Sequence, residues 1–239
     1  MILRSLVLAG WLVSMAGAQD AKSAAAAAAL KTTQEQEIDV LIRKGEAYTT
    51  GKDPANAIAI LEQAWQKVQK NPAIHEKEAE VLMRLAKAYI DGQRPGDAVR
   101  AYQFLLQDIA DNCRPGSAFL DRCADAKYGL GTAQMYKGDF EGAVGVLRQA
   151  VALYARIVQG SMAENYRMNK VKQQGDATAL LAAAMFRTGH KPEAMVAFQQ
   201  AINMFDAVDK SAQAAPDLKA SARNSRKDAE TSLDLLRKN

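Results

Sequence analysis

The residues able to do chemistry are few, and their spacing does not suit it. The chain contains two histidines, His75 and His190, and two cysteines, Cys113 and Cys123. His75 is followed by Glu76 and Glu78, a mix of imidazole and carboxylates that could ligate a metal. The same residues open a helical stretch, where negative charge suits the positive end of the helix dipole, and they read as a solvated first turn. His190 stands in the turn Gly189-His190-Lys191-Pro192. There is no G-x-S-x-G elbow, H-E-x-x-H pair, phosphate-cradling glycine loop or dinucleotide fingerprint. Carboxylates are plentiful, yet none falls in an apolar context that would clearly raise its pKa. The expectation is a non-enzymatic chain with no catalytic residue, no cofactor and no metal.

The cysteines suggest a compartment. Residues 1–18 read as a secretory signal peptide, with Arg4 as the positive start, Ser5 to Val13 as the apolar middle and Ala16-Gly17-Ala18 as the small-x-small cleavage site. That apolar run is too short to span a bilayer comfortably, and no other stretch could, so no transmembrane span is expected after cleavage. An even cysteine count in an exported chain points to a disulfide. Cys113 and Cys123 bracket a loop turned by Pro115-Gly116, and the expected bridge is a staple for that loop. A redox-active pair would favour C-x-x-C spacing, which is absent here. The implied location is the periplasm.

The chain has 239 residues, 6% of them aromatic, and a net charge of +4. That is room for one or two domains with a sizeable core. Alanine is abundant and strand-like Val/Ile alternation is absent, which favours an all-α fold. The charge is too mild and dispersed for nucleic acid.

The elements that must position any site come from a repeated skeleton. A small residue is followed twelve positions later by alanine: Gly45 and Ala57, Ala86 and Ala98, Gly131 and Ala143, Ala182 and Ala194. Four residues after each alanine stands a large apolar residue, Leu61, Tyr102, Leu147 or Phe198. Three further on comes Ala64, Leu105, Ala150 or Ala201. Such self-similarity marks a repeat array. Each unit reads as two amphipathic helices joined by a turn, as at Lys137-Gly138-Asp139. Gly175 interrupts the fourth unit and predicts a kink or break, with Asp176 restarting the helix.

This skeleton resembles the tetratricopeptide repeat, a helix pair with W-x2-L-G-x2-Y followed by A-x3-F. Leu82-x2-Leu85-Ala86-x2-Tyr89 and Leu130-Gly131 carry the likeness. The Trp position holds Leu41, Leu82, Lys127 and Thr178, and the steps between units (41, 45 and 51 residues) exceed the family's usual 34 or so. The resemblance implies an α-solenoid of about four antiparallel helix pairs plus a C-terminal capping helix. The expected organisation is a signal peptide (1–18), an alanine-rich linker (19–34), the helical repeat domain (35–209) and a C-terminal amphipathic helix (210–239).

The resemblance also implies that the first helix of each pair lines a concave groove. Its ladder would be Ile42, Glu46 and Thr49; Met83, Lys87 and Ile90; Tyr128, Thr132 and Met135; Ala179, Ala183 and Phe186. Methionines there can adapt to varied side chains. The family's clamp for a peptide C-terminal carboxylate needs Lys and Asn in the first repeat, where Ile42 and Glu46 stand, so that ligand is not carried over. An acidic residue precedes each ladder (Asp39, Glu80, Asp125, Asp176), and helix-start electrostatics account for it equally well.

The expected role is a protein-interaction scaffold of the bacterial cell envelope that holds another protein or peptide in the groove. The groove could instead be filled by the chain's own last helix. The alternative is a self-assembling or membrane-docking protein acting through the basic side of that helix, Lys219, Arg223, Arg226 and Lys227. A homo-oligomer stays open.

Overall fold

The computed structural model describes residues 2–114, 117–161 and 163–238, with side chains from Ser23 onward other than that of Asn112. The expected leader residues, the Pro115-Gly116 turn and the helix start near Met162 lie outside the described side chains or residues. The described residues form nine α-helices and two short 3-10 helices, with no strand among them. The α-helices are α1 (Ile2–Thr50), α2 (Pro54–Gln69), α3 (Glu78–Asp91), α4 (Pro95–Asp108), α5 (Leu120–Lys137), α6 (Phe140–Gly160), α7 (Glu164–Arg187), α8 (Lys191–Lys210) and α9 (Pro216–Lys238). The chain divides into two compact units, Met1–Arg84 and Leu85–Asn239, with the division inside α3.

The four turns inside the helix pairs repeat one geometry. The residue seven positions after each small residue is left-handed: Lys52 (φ 58°), Gln93 (φ 57°), Gly138 (φ 85°) and Gly189 (φ 85°). The next residue's N–H then reaches back five positions: Asp53 to Tyr48 O (2.9 Å), Arg94 to Tyr89 O (2.7 Å), Asp139 to Gln134 O (2.9 Å) and His190 to Met185 O (2.9 Å). These bonds meet carbonyls that the helix end would otherwise leave without partners. The following helices open on side-chain caps in two cases. Asp53 Oδ1 accepts from Asn56 N (3.2 Å), and Asp139 Oδ1 accepts from Gly142 N (3.0 Å).

In the first unit, α1 and α2 pack around Ile38, Ile42, Ala64, Val68 and Ile74. They approach closely because Gly45 has no side chain; a Cβ there would lie 2.6 Å from Leu61 Cγ. No break falls at Glu35. The alanine run Ala24–Ala29 continues α1 with exposed side chains, as the best helix-forming residue allows without an apolar face to bury.

In the second unit each helix from α4 to α9 packs on the next, and α5, α7 and α9 also touch one another in turn. A Cβ at Gly131 would lie 2.5 Å from Leu147 Cγ, the same relation as in the first unit. Gly175 neither kinks nor breaks α7, which is continuous. It is buried, and a Cβ there would lie 2.6 Å from the Phe205 ring of α8. Its role is close approach of two helices. The core includes Leu147, Phe198, Phe205, Leu233 and Leu236. Burial of each such side chain contributes about 1.5–3 kcal/mol.

Candidate partner-binding face

Six of the predicted ladder residues stand on α5 and α7, two helices that touch. On α5, Tyr128, Thr132 and Met135 are half-buried, while Gly129, Leu130, Gly131 and Ala133 between them are buried. Thr132 Oγ1 donates to Tyr128 O (2.9 Å), so its hydroxyl is bonded within its own helix. On α7, Ala179 and Ala183 are half-buried against the core, and Phe186 is exposed. Tyr136 follows Met135 and is 69% exposed. The ladder's spacing of one residue per turn passed over it; its sequence signal is an aromatic where a solvated helix end would carry a polar residue.

The other ladder positions differ. Ile42 is 3% exposed and belongs to the core of the first unit, so it offers no surface. Glu46 is half-buried and paired with Arg84 (2.7 Å), and Thr49 Oγ1 donates to Gly45 O (3.0 Å). Met83 is half-buried. In the second unit Lys87 is exposed and paired with Asp91 (3.2 Å), and Ile90 is half-buried.

Three of the four acidic residues ahead of the ladders, Asp39, Asp125 and Asp176, are internally engaged. Asp39 accepts from Lys77 (2.6 Å), and Asp125 accepts from the hydroxyl of Tyr154 (2.5 Å), which is 1% exposed. Asp176 accepts from Lys172 (2.7 Å) and from Ser225 of α9 (3.2 Å). Burial pushes the Asp176 carboxyl above its ordinary value, with the Lys172 amine opposing. Burial, helped by the Asp176 charge, also pushes Tyr128 up to about 12, so its hydroxyl stays neutral at physiological pH.

The histidines follow their surroundings. His190 sits in its turn beside Thr188 Oγ1 (3.0 Å). The stretch at His75 is not wholly a solvated first turn: it is a 3-10 helix (Pro72–Lys77), Glu78 is 4% exposed, and His75 Nδ1 pairs with Glu78 Oε2. A buried carboxylate needs such a partner. Cys113 and Cys123 form a disulfide, with Cα atoms 5.7 Å apart.

The last helix packs on α8 and touches α7 through its buried Ala222, Ala229, Leu233 and Leu236. Much of its basic side is engaged there: Arg226 donates to Asp206 (2.6 Å), and Arg223 lies 3.6 Å from Asp209. Among the described residues, no helix is long and apolar enough to cross a membrane.

A family model for the tetratricopeptide repeat matches residues 125–156. No curated protein matches the sequence. The fold is similar to that of nearly identical TPR-like repeats from a Podosopora anserina protein described as a kinesin light chain (19% identity, 84% of this chain and 93% of that one, TM-score 0.56). It is similar as well to BtubC (BKLC) from P. vanneervenii (16% identity, 86% and 90%, TM-score 0.53). Solenoids of this kind are in general non-catalytic scaffolds that bind proteins or peptides on extended concave surfaces. The chain thus carries a tetratricopeptide repeat at residues 125–156 within an all-α array of the tetratricopeptide-repeat fold.

Proposed function

We propose that the chain is an exported scaffold of the bacterial cell envelope, periplasmic in location, that binds a segment of another protein on the α5–α7 face. The observation that supports this reading is a set of partly exposed apolar side chains, Tyr128, Met135, Tyr136 and Phe186, on two helices that touch. Aromatic and methionine side chains are the groups that dominate protein interfaces. The partner's apolar surface, once covered, contributes about 25 cal/mol per Å², less the cost of ordering both sides. Export is supported by the disulfide and by the pattern of residues 1–18.

The test is a crosslinking pull-down from envelope extract, with the wild type beside a Met135→Glu, Phe186→Glu double variant. Both sites are partly exposed, so the variant keeps its helical circular dichroism. Capture by the wild type alone is expected. Equal capture by a folded double variant would show that the face is assigned wrongly.

A further inference from the structure

The first turn of α5 is held from outside its own helix. α5 opens on Phe119 with no side-chain cap, whereas Asp53 and Asp139 cap α2 and α6. An uncapped start leaves backbone N–H groups without side-chain acceptors and frays readily. Two ties hold this one. The first is the Cys113–Cys123 bridge, since Cys123, fully buried, stands in that turn. The second is Asp121, which α7 grips with two side chains one turn apart. The Tyr166 hydroxyl donates to Asp121, and the Lys170 ammonium lies 3.4 Å from Asp121 Oδ1 and 5.4 Å from the Tyr166 ring.

Lys170 gives that grip its consequence. It is 7% exposed, and Asp121 is the one carboxylate in ion-pair contact with it among the described residues. A charge so buried is tolerated only while its partner stays in place. Asp121 stands two residues before Cys123, so the bridge that pins the turn also keeps Asp121 against Lys170. With the bridge open, the turn frays and Asp121 moves away. The start of α7 must then shift to bring the Lys170 ammonium to water.

We propose that the Cys113–Cys123 bridge is a redox-sensitive switch that sets, through Asp121 and Lys170, whether the start of α7 is docked on α5. Cys113 is half-buried and offers the more open sulfur. A dithiol attacks there as a thiolate, forms a mixed disulfide and releases Cys123 as a thiolate. The second thiol of the reductant then displaces Cys113. Two electrons pass to the bridge, the protons of the two reductant thiols end on the cysteines, and the reductant leaves as its own disulfide. α5 and α7 carry Tyr128, Met135, Tyr136 and Phe186, so the reduced chain holds that face less rigidly. This effect on the face rests on the function proposed above; the coupling from the bridge to α7 does not.

The test is hydrogen–deuterium exchange of the full chain, read by mass spectrometry, with and without dithiothreitol. Reduction should speed exchange about tenfold in peptides covering residues 120–124 and also in those covering 164–171, with α8 and α9 unchanged. Replacing both Cys113 and Cys123 by serine should do the same without reductant. Asp121→Asn, with the bridge intact, should speed exchange at 164–171 alone. In Lys170→Met the buried charge is gone, and reduction should leave 164–171 protected. Circular dichroism checks that each variant folds. Faster exchange confined to the α5 side overturns the proposal, as does equal acceleration at 164–171 in Lys170→Met. Uniform acceleration through α8 and α9 also overturns it, because the bridge then supports global stability alone.

Discussion

Replacing Gly131 by alanine should destabilise the chain, although alanine is the better helix former. The added Cβ would lie 2.5 Å from Leu147 Cγ and 2.6 Å from its Cδ2. Real Cβ atoms do not approach carbon so closely, and Leu147, fully buried, has no solvent to retreat into. Overpacking of this kind costs about 1–3 kcal/mol. The helix-propensity gain of Gly→Ala returns about 1 kcal/mol, leaving a net loss near 1 kcal/mol. Gly145, on the exposed side of α6, has nothing within 4 Å of an added Cβ, so Gly145→Ala should gain about 1 kcal/mol. The two variants then differ by about 2 kcal/mol, or roughly 4–8 °C in melting midpoint for a chain of this size. Thermal and urea denaturation followed by circular dichroism at 222 nm would measure it. On a Leu147→Ala background the clash is gone, and Gly131→Ala should become stabilising. If Gly131→Ala raises the midpoint of the wild type as much as Gly145→Ala does, close helix approach is not why a glycine stands there.

Two further outcomes follow from particular contacts. Replacing both Cys113 and Cys123 by serine opens a loop of sequence separation 10 and should cost about 3 kcal/mol by chain entropy; denaturation midpoints under oxidising conditions check this, and wild type treated with reductant should match the variant. The Arg226 guanidinium holds the Asp206 carboxyl below its ordinary 3.8. A depressed carboxyl contributes its stability in full above 3.8 and loses it as pH falls through the lower folded value. The stability gap between wild type and Asp206→Asn, from urea titrations at stepped pH, should therefore be constant near neutrality and close in acid below 3.8; a gap that persists there would refute the link.

The helix pairs were legible because their geometry depends on small residues at a fixed interval. Gly45 against Leu61 and Gly131 against Leu147 are the contacts that the interval of twelve, plus four, implies. Other features were hidden for physical reasons. Lys52 and Gln93 adopt the left-handed turn without being glycine, because the backbone bonds from Asp53 and Arg94 hold them there. Gly175 looks like a helix breaker in sequence, since nothing local reveals that Phe205, thirty residues on, needs its space. The alanine run lacked the periodicity that marks packed helices, yet propensity alone continues the helix through it. In the ladder, Ile42 shares its register with accessible positions in later pairs and is nonetheless core, because exposure depends on which neighbours cover a helix and not on its own spacing.

The twice-seen glycine–leucine contact spans only sixteen residues of chain, and in the second unit each helix packs mainly on the one before and the one after it. Contacts so near in sequence are quick to find, and helical arrays with low contact order fold fastest. Folding here need not await the far end of the polypeptide: a hairpin can close as soon as its second helix is available, and the next pair adds to it as a template. The same locality applies to the Cys113–Cys123 bridge, whose partners lie within a single short loop and its helix. Oxidation can trap that corner while the rest of the chain is still unfolded, with no rival cysteine to mispair.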